Sequence, residues 1–173
     1  MDLRGRIRDI PDFPKPGILF RDITTLLQDA EAYGAALAGL EDLVRGERIA
    51  KVAGIESRGF ILGAALADRL RSGFVPVRKR GKLPGATVRV AYELEYGSDH
   101  LEIHADAVQP GERVLIVDDL LATGGTAAAT VELLRAVRAD VVGVLVLVEL
   151  DFLGGRRRLD GLMVRSLVHY AAE

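Results

Sequence analysis

Two aliphatic runs, Val114–Val117 and Val141–Val148, constrain this chain more than any other feature. Each has the length of a strand, and neither alternates with polar residues, so each must be buried on both faces. Between and before them the apolar period changes from continuous to helical. A helix is predicted over about Glu31–Arg45, with Tyr33, Leu37, Leu40 and Val44 on one face and Gly46 ending it. Ile49–Ile55 reads as a strand, Gly59–Arg71 as a helix closed by Ser72-Gly73, Phe74–Val77 as a strand, and Thr126–Arg138 as a helix. Buried strands alternating with amphipathic helices predict an α/β fold with a mostly parallel central sheet flanked by helices. The length of 173 residues fits one domain, and the core must rest on Val, Leu, Ile and Ala, because aromatics are only 5% and Trp is absent.

Two segments depart from this alternation. Residues 2–10 read as a short helix stopped by Pro11, with Pro14 and Pro16 keeping the next stretch extended. Thr87–Tyr96 and Leu101–His104, joined by Gly97-Ser98-Asp99-His100, read as a polar hairpin that projects from the sheet. The RKRGKLPG stretch before it reads as a mobile loop.

Composition excludes several chemistries. With no cysteine there is no disulfide framework, thiolate nucleophile or Cys-based zinc site, and His100, His104 and His169 lack metal-ligand spacing. A net charge of −2 argues against a nucleic-acid partner but permits a local basic patch. The N-terminus lacks an apolar leader and no run approaches the roughly 20 residues of a spanning helix, so a soluble cytoplasmic protein with no membrane partner is expected.

The strongest local signal is VLIVDDLLATGGTAAA, Val114–Ala129. The aliphatic strand is expected to end in Asp118-Asp119, and Thr123-Gly124-Gly125-Thr126 opens an Ala-rich helix. Glycines let backbone N–H groups approach a phosphate, and a helix N-terminus adds partial positive charge. Two carboxylates would repel a phosphate, so they suit a sugar's hydroxyls or the hydrated Mg²⁺ that accompanies a pyrophosphate. An Asp-Asp or a TGGT alone is more often an acidic turn and an N-cap; the sixteen-residue combination is much more specific. It contains neither GxxxxGK[ST] nor GxGxxG, which excludes a P-loop and disfavours a dinucleotide site.

Here the sequence resembles the type I phosphoribosyltransferases, which bind 5-phosphoribosyl-1-pyrophosphate (PRPP) on such a strand, acidic pair and loop. The resemblance implies their fold, with a small N-terminal hood, about residues 1–30, and a mobile catalytic hairpin loop, about 80–106, within one domain spanning 1–173. It assigns the ribose and 5′-phosphate to Asp118, Asp119, Leu120, Ala122, Thr123, Gly124, Gly125 and Thr126. Three further segments are similar to the branch of the family that uses adenine: IPDFPKPGILFRDIT (Ile10–Thr24), GIESRGF (Gly54–Phe60) and GKLPGATVRVAYELEYG (Gly81–Gly97). The likeness runs over roughly residues 4–170, and the reaction it implies is adenine plus PRPP to AMP plus pyrophosphate.

The residues support this to different degrees. Arg58 reads equally well as a solvated first-turn residue or as a fork for a pyrophosphate oxygen, and the resemblance assigns Glu56, Ser57 and Arg58 to pyrophosphate. Arg78-Lys79-Arg80-Gly81-Lys82 would usually be a solvated run, yet it follows a strand's carboxyl end; by resemblance Arg78, Lys79 and Lys82 also take pyrophosphate. A lone Phe is usually core, but by resemblance Phe20 stacks on the purine, the backbones of Leu19 and Arg21 read its edge, and Leu150 packs on its other face. Glu95 is implied to face N7 of the base as the catalytic carboxylate. Tyr96 is implied to help the loop close, and Asp118 and Asp119 to favour a cationic sugar. Mg²⁺ as cofactor and a homodimer follow from the same resemblance. A 6-oxopurine enzyme would need a donor for O6, which VELDFLGG after Leu147 does not supply as Lys, and a PRPP-sensing regulator usually carries an added DNA-binding domain. Arg156-Arg157-Arg158 reads as a solvated turn.

Overall fold

Alternate residues of the aliphatic runs face opposite helical layers. The computed structural model describes residues 1–93 and 97–173. Five strands, β3 (Lys51–Ile55), β4 (Gly73–Lys79), β7 (Arg113–Leu121), β8 (Asp140–Leu150) and β9 (Met163–Tyr170), run parallel in the order β4-β3-β7-β8-β9. On β7, Leu115 and Val117 join the core beneath α2 (Ala30–Leu43) and α3 (Arg58–Leu70). Val114 and Ile116 join the core beneath α4 (Gly125–Ala136). Leu145 and Val146 divide in the same way on β8. This is the expected α/β sheet, covered on both faces.

The hairpin does not project. β5 (Thr87–Glu93) pairs antiparallel with β6 (Ser98–His104), which pairs antiparallel with β4, so both extend the sheet to seven strands. Leu101 and Ile103 are fully buried in the α4-side core, with Val88, Val90 and Tyr92 packed against it. The alternation that reads as two-faced and polar is that of an edge strand with its apolar side on the core.

The N-terminal reading also changes. A 3-10 turn at Arg4–Arg6 is followed by β1 (Arg8–Ile10), antiparallel to β2 (Phe20–Asp22). Charges placed opposite one another fix this pairing: Arg8 donates to Asp22 at 2.5 Å, and Arg21 meets Asp9 at 2.6 Å. Cross-strand pairing outweighs a local helical pattern already weakened by Gly5. The proline-rich stretch turns back on itself through Phe13 N–H to Ile18 O, 3.2 Å. A short helix, α1 (Thr24–Gln28), precedes α2, and Asp29 caps α2 by accepting from the N–H groups of Glu31 and Ala32. α3 closes on Arg71 in the left-handed conformation (φ 55°), and Gly73 already belongs to β4. No helix among the described residues is long and apolar enough to cross a membrane.

Candidate active site

The carboxyl ends of β3, β4 and β7 open on a cavity of about 530 Å³. Open parallel sheets bind ligands at this end. β3 delivers Glu56, Ser57 and Arg58, β4 and the residues after it deliver Lys79 and Lys82, and β7 delivers Asp118, Asp119 and Leu120. Thr126 closes the wall from α4. A second hollow of about 90 Å³, a size suited to a phosphate, shares Asp118, Leu120 and Thr126, and adds Ala122, Thr123, Gly124 and Gly125.

β7 does not end at the acidic pair. It stays in register with β8 as far as Leu121, opposite Glu149, so Asp118 and Asp119 lie within the ladder. Alternation then sends them to different neighbours. Asp119 is buried and accepts from Arg58 Nε at 2.5 Å, while Asp118 lines the small hollow. Asp118 also accepts from the Asp119 N–H at 2.9 Å. Burial, and then the Asp119 charge beside it, hold the Asp118 carboxyl well above the usual carboxylate range.

Two helices point their N-termini at this region. Neither Ser57, before α3, nor Gly124, before α4, makes a side-chain cap, so first-turn N–H groups and the positive ends of both dipoles face the cavity. Gly124 has φ 83°, which glycine adopts readily. Gly59 is required by space: a Cβ there would lie 2.6 Å from Asp118 Oδ1. Arg78 turns to Glu56 (3.3 Å) and to the Lys82 carbonyl (3.4 Å), while Glu56 also accepts from the Lys79 N–H at 2.7 Å.

The structure thus brings together Glu56, Ser57, Arg58, Lys79, Lys82 and the 118–126 segment, with Arg78 braced behind them. The Phe20 ring reaches this group through Arg58, whose guanidinium carbon lies 5.3 Å from the ring centroid; Phe13 packs edge-on against Phe20 at 5.0 Å. Leu19 is half-buried, Leu150 is half-buried against the helix-side core, and the buried Arg21 side chain turns away to stack on Tyr170 at 4.0 Å. None of Leu19, Arg21 and Leu150 is among the residues lining the two hollows. Glu95 and Tyr96 lie outside the described residues.

Sequence reasoning missed Tyr92 and Gly59. Tyr92 lines the large cavity and donates to Asp99 at 3.3 Å; burial, then the Asp99 charge, push its hydroxyl up to about 12. Its position two residues after Val90 in an alternating strand was the available signal. Arg156 is exposed, as are Arg157 and Arg158, but it is not a free turn residue: it forks onto buried Glu149 at 2.5 and 2.7 Å.

A parallel sheet whose carboxyl end combines an acidic strand, a glycine loop opening a helix, and a cationic rim is the architecture of a phosphoribosyltransferase. The family model of the phosphoribosyl transferase domain matches residues 25–166. An adenine phosphoribosyltransferase of Rhizobium johnstonii is 56% identical over 172 residues, covering 98% of this chain and 96% of the relative. The crystal structure of adenine phosphoribosyltransferase from Thermoanaerobacter pseudethanolicus superposes with a TM-score of 0.96 at 51% identity, covering 98% of each chain. That from Saccharomyces cerevisiae, complexed with D-2,5-dideoxy-2,5-imino-altritol 1,6-bisphosphate and adenine, gives 0.90 at 41% identity, covering 95% of this chain and 96% of its own. The chain belongs to the adenine phosphoribosyltransferase family.

Proposed function

We infer that this chain joins adenine to PRPP, forming AMP and releasing pyrophosphate, in the cavity between the N-termini of α3 and α4. The observation that carries the reading is the meeting of two uncapped helix N-termini with Arg58, Lys79 and Lys82 around one acidic pair. Anion sites at both ends of an acidic floor suit a sugar phosphorylated at both ends.

The 5′-phosphate takes the hollow of Ala122, Thr123, Gly124, Gly125 and Thr126, and the pyrophosphate takes Ser57, Arg58, Lys79 and Lys82, with Glu56 and Arg78 holding that wall in place. Asp118 and Asp119 face the ribose hydroxyls, whose O–H groups can donate to the carboxyl oxygens. Their oxygens also suit a hard, hydrated cation such as Mg²⁺ arriving with PRPP. When bound, Mg²⁺ would neutralise charge on the departing pyrophosphate. Adenine lies against Phe20, its edge read by the Leu19 and Arg21 backbones and its far face covered by Leu150.

N9 bonds to C1′ as the C1′–O bond breaks, and that electron pair leaves on pyrophosphate. Glu95 takes up the purine proton, a contribution of about 10²–10⁴-fold for a well-placed base. Residues 1–30 act as the hood over the base, and the part of 80–106 between β4 and β5, with Tyr96, as the lid that excludes water, while β6 stays fixed in the sheet. On the same reading the chain is one domain that works as a cytoplasmic homodimer.

The test is radiolabelled adenine with PRPP and Mg²⁺. AMP and pyrophosphate should form in equal amounts, and Asp119→Asn should impair use of PRPP far more than binding of adenine. Hypoxanthine competing at a concentration similar to that of adenine would overturn the base assignment.

A further inference from the structure

Behind the phosphate loop lies a polar cluster to which the reaction gives no direct role. Glu149, near the end of β8, keeps only 3% of its side chain exposed. Arg156 donates to both its oxygens, at 2.5 and 2.7 Å, and the Ser166 hydroxyl donates to Oε2 at 2.5 Å. Arg156 also donates to the Val164 carbonyl at 2.7 Å, which ties the segment between β8 and β9 back to β9. Around this pair, His169 meets Ser166 at 3.0 Å and Asp151 at 2.9 Å. Glu149, Asp151 and His169 are close enough to suggest a cation site, but a bound guanidinium already occupies both Glu149 oxygens and repels a cation.

The residue before Arg156 touches the phosphate loop. A Cβ on Gly124 would lie 2.5 Å from the Gly155 carbonyl oxygen; one on Gly155 would lie 2.4 Å from the Ala122 oxygen and 3.1 Å from the Gly124 nitrogen. The two backbones are therefore in direct contact, with no side chain between them to absorb a shift. Gly154, at φ 66°, turns the chain into this contact. An ion pair whose arginine is nearly half exposed contributes little to stability, so its fixed geometry is the more informative property.

We propose that Glu149 and Arg156 are positioning residues for PRPP: their forked pair holds Gly155 against Gly124 and so sets the shape of the loop that receives the 5′-phosphate. The inference rests on the reading of that loop given above.

The test compares steady-state kinetics of Arg156→Gln, the charge-balanced double variant Glu149→Gln/Arg156→Gln, and Arg156→Lys, with thermal melting of each. A displacement of about 1 Å can cost about 10²-fold, so a smaller shift of the loop should raise KM for PRPP about tenfold in the first two. In both, kcat should stay within about threefold and KM for adenine should not change. Arg156→Lys, which keeps the charge without the fork, should fall between them and wild type. Inhibition by ribose 5-phosphate should weaken in parallel, while inhibition by pyrophosphate stays as in wild type. A fall in kcat with both KM values unchanged would mark a purely structural pair and overturn the proposal. Gly124→Ala separates the two readings. If it raises KM for PRPP while the Arg156 variants do not, the bracing role is wrong and the loop reading stands. If it leaves that KM unchanged, the loop reading itself fails.

Discussion

Gly59→Ala isolates the closeness of α3 to the acidic strand. Gly59 lies in the first turn of α3, where Ala is compatible with the backbone, so the perturbation is one methyl group. That methyl would sit 2.6 Å from Asp118 Oδ1, and 3.2 Å from both Asp118 Cα and the Val117 carbonyl oxygen. Ordinary contact begins near 3.4 Å, so the carboxylate must move by about 0.8 Å or the start of α3 must lift. Overpacking costs about 1–3 kcal/mol, offset by about 1 kcal/mol of helix propensity gained over glycine. The net loss of up to about 2 kcal/mol should lower the melting temperature by at most about 4–8 °C in a chain of this size. The kinetic effect should be much larger, because a displacement near 1 Å in a binding constellation can cost about 10²-fold. We expect kcat/KM for PRPP to fall by about that factor, with KM for adenine nearly unchanged. Gly63→Ala is the control: one turn further on, its methyl would meet Phe74 at 3.2 Å and Gly54 Cα at 3.3 Å, stressing the same helix away from Asp118. If Gly59→Ala turns over PRPP like wild type, or if Gly63→Ala is equally impaired, close approach to Asp118 does not shape the site.

Glu95→Gln should melt like wild type and bind PRPP normally, while kcat falls about 10²-fold or more; turnover within a few-fold of wild type would remove Glu95 from the chemistry. Phe20→Ala should weaken adenine by about 1–3 kcal/mol of stacking in a direct binding titration, and Leu19→Ala by less, since only the Leu19 backbone is used. Asp22 predicts an acid limit. The Thr24 N–H, opposed by burial and aided by the Thr24 hydroxyl and Arg8, lowers its carboxyl to about 2. Between that value and the usual unfolded one near 3.9 the folded chain holds fewer protons, so up to about 2.6 kcal/mol of stability present at neutral pH, less where solvent screens Arg8, is lost as pH falls through this window. The stability gap between wild type and Asp22→Asn in urea melts should shrink accordingly from pH 6 to pH 2, and a constant gap would show that the carboxylate's charge is not what stabilises it.

β7 and β8 could be read from the sequence because burial on both faces leaves only aliphatic residues, a pattern few other structures produce. The helix opened by TGGT was legible because a glycine turn followed by an Ala-rich run leaves few other structures open. The hairpin was misplaced because TVRVAYELEY reveals two faces, but not that α4 would cover the apolar one. Carboxylates run against strand propensity, so Asp118 and Asp119 read as the end of β7; pairing with β8 carries the strand past them. The role of Arg156 depends on Glu149, seven residues earlier and across a turn, and a run of three arginines gives no sign of which one is held.

The continuation of β7 to Leu121 has a thermodynamic consequence. A floor held in a parallel ladder pays its ordering entropy when the chain folds, so binding PRPP adds little order there. The other wall is held by a turn rather than a ladder: where the chain leaves β4, the Arg80 N–H donates to the His100 carbonyl at 3.2 Å, the Gly81 N–H to the Glu102 side chain at 3.2 Å and the Lys82 N–H to the Lys79 carbonyl at 3.3 Å. In native-state hydrogen exchange, residues 118–121 should be protected like the core with or without ligand, and protection gained on binding should concentrate after β4. The conformational entropy lost on binding would then come almost entirely from one wall of the site.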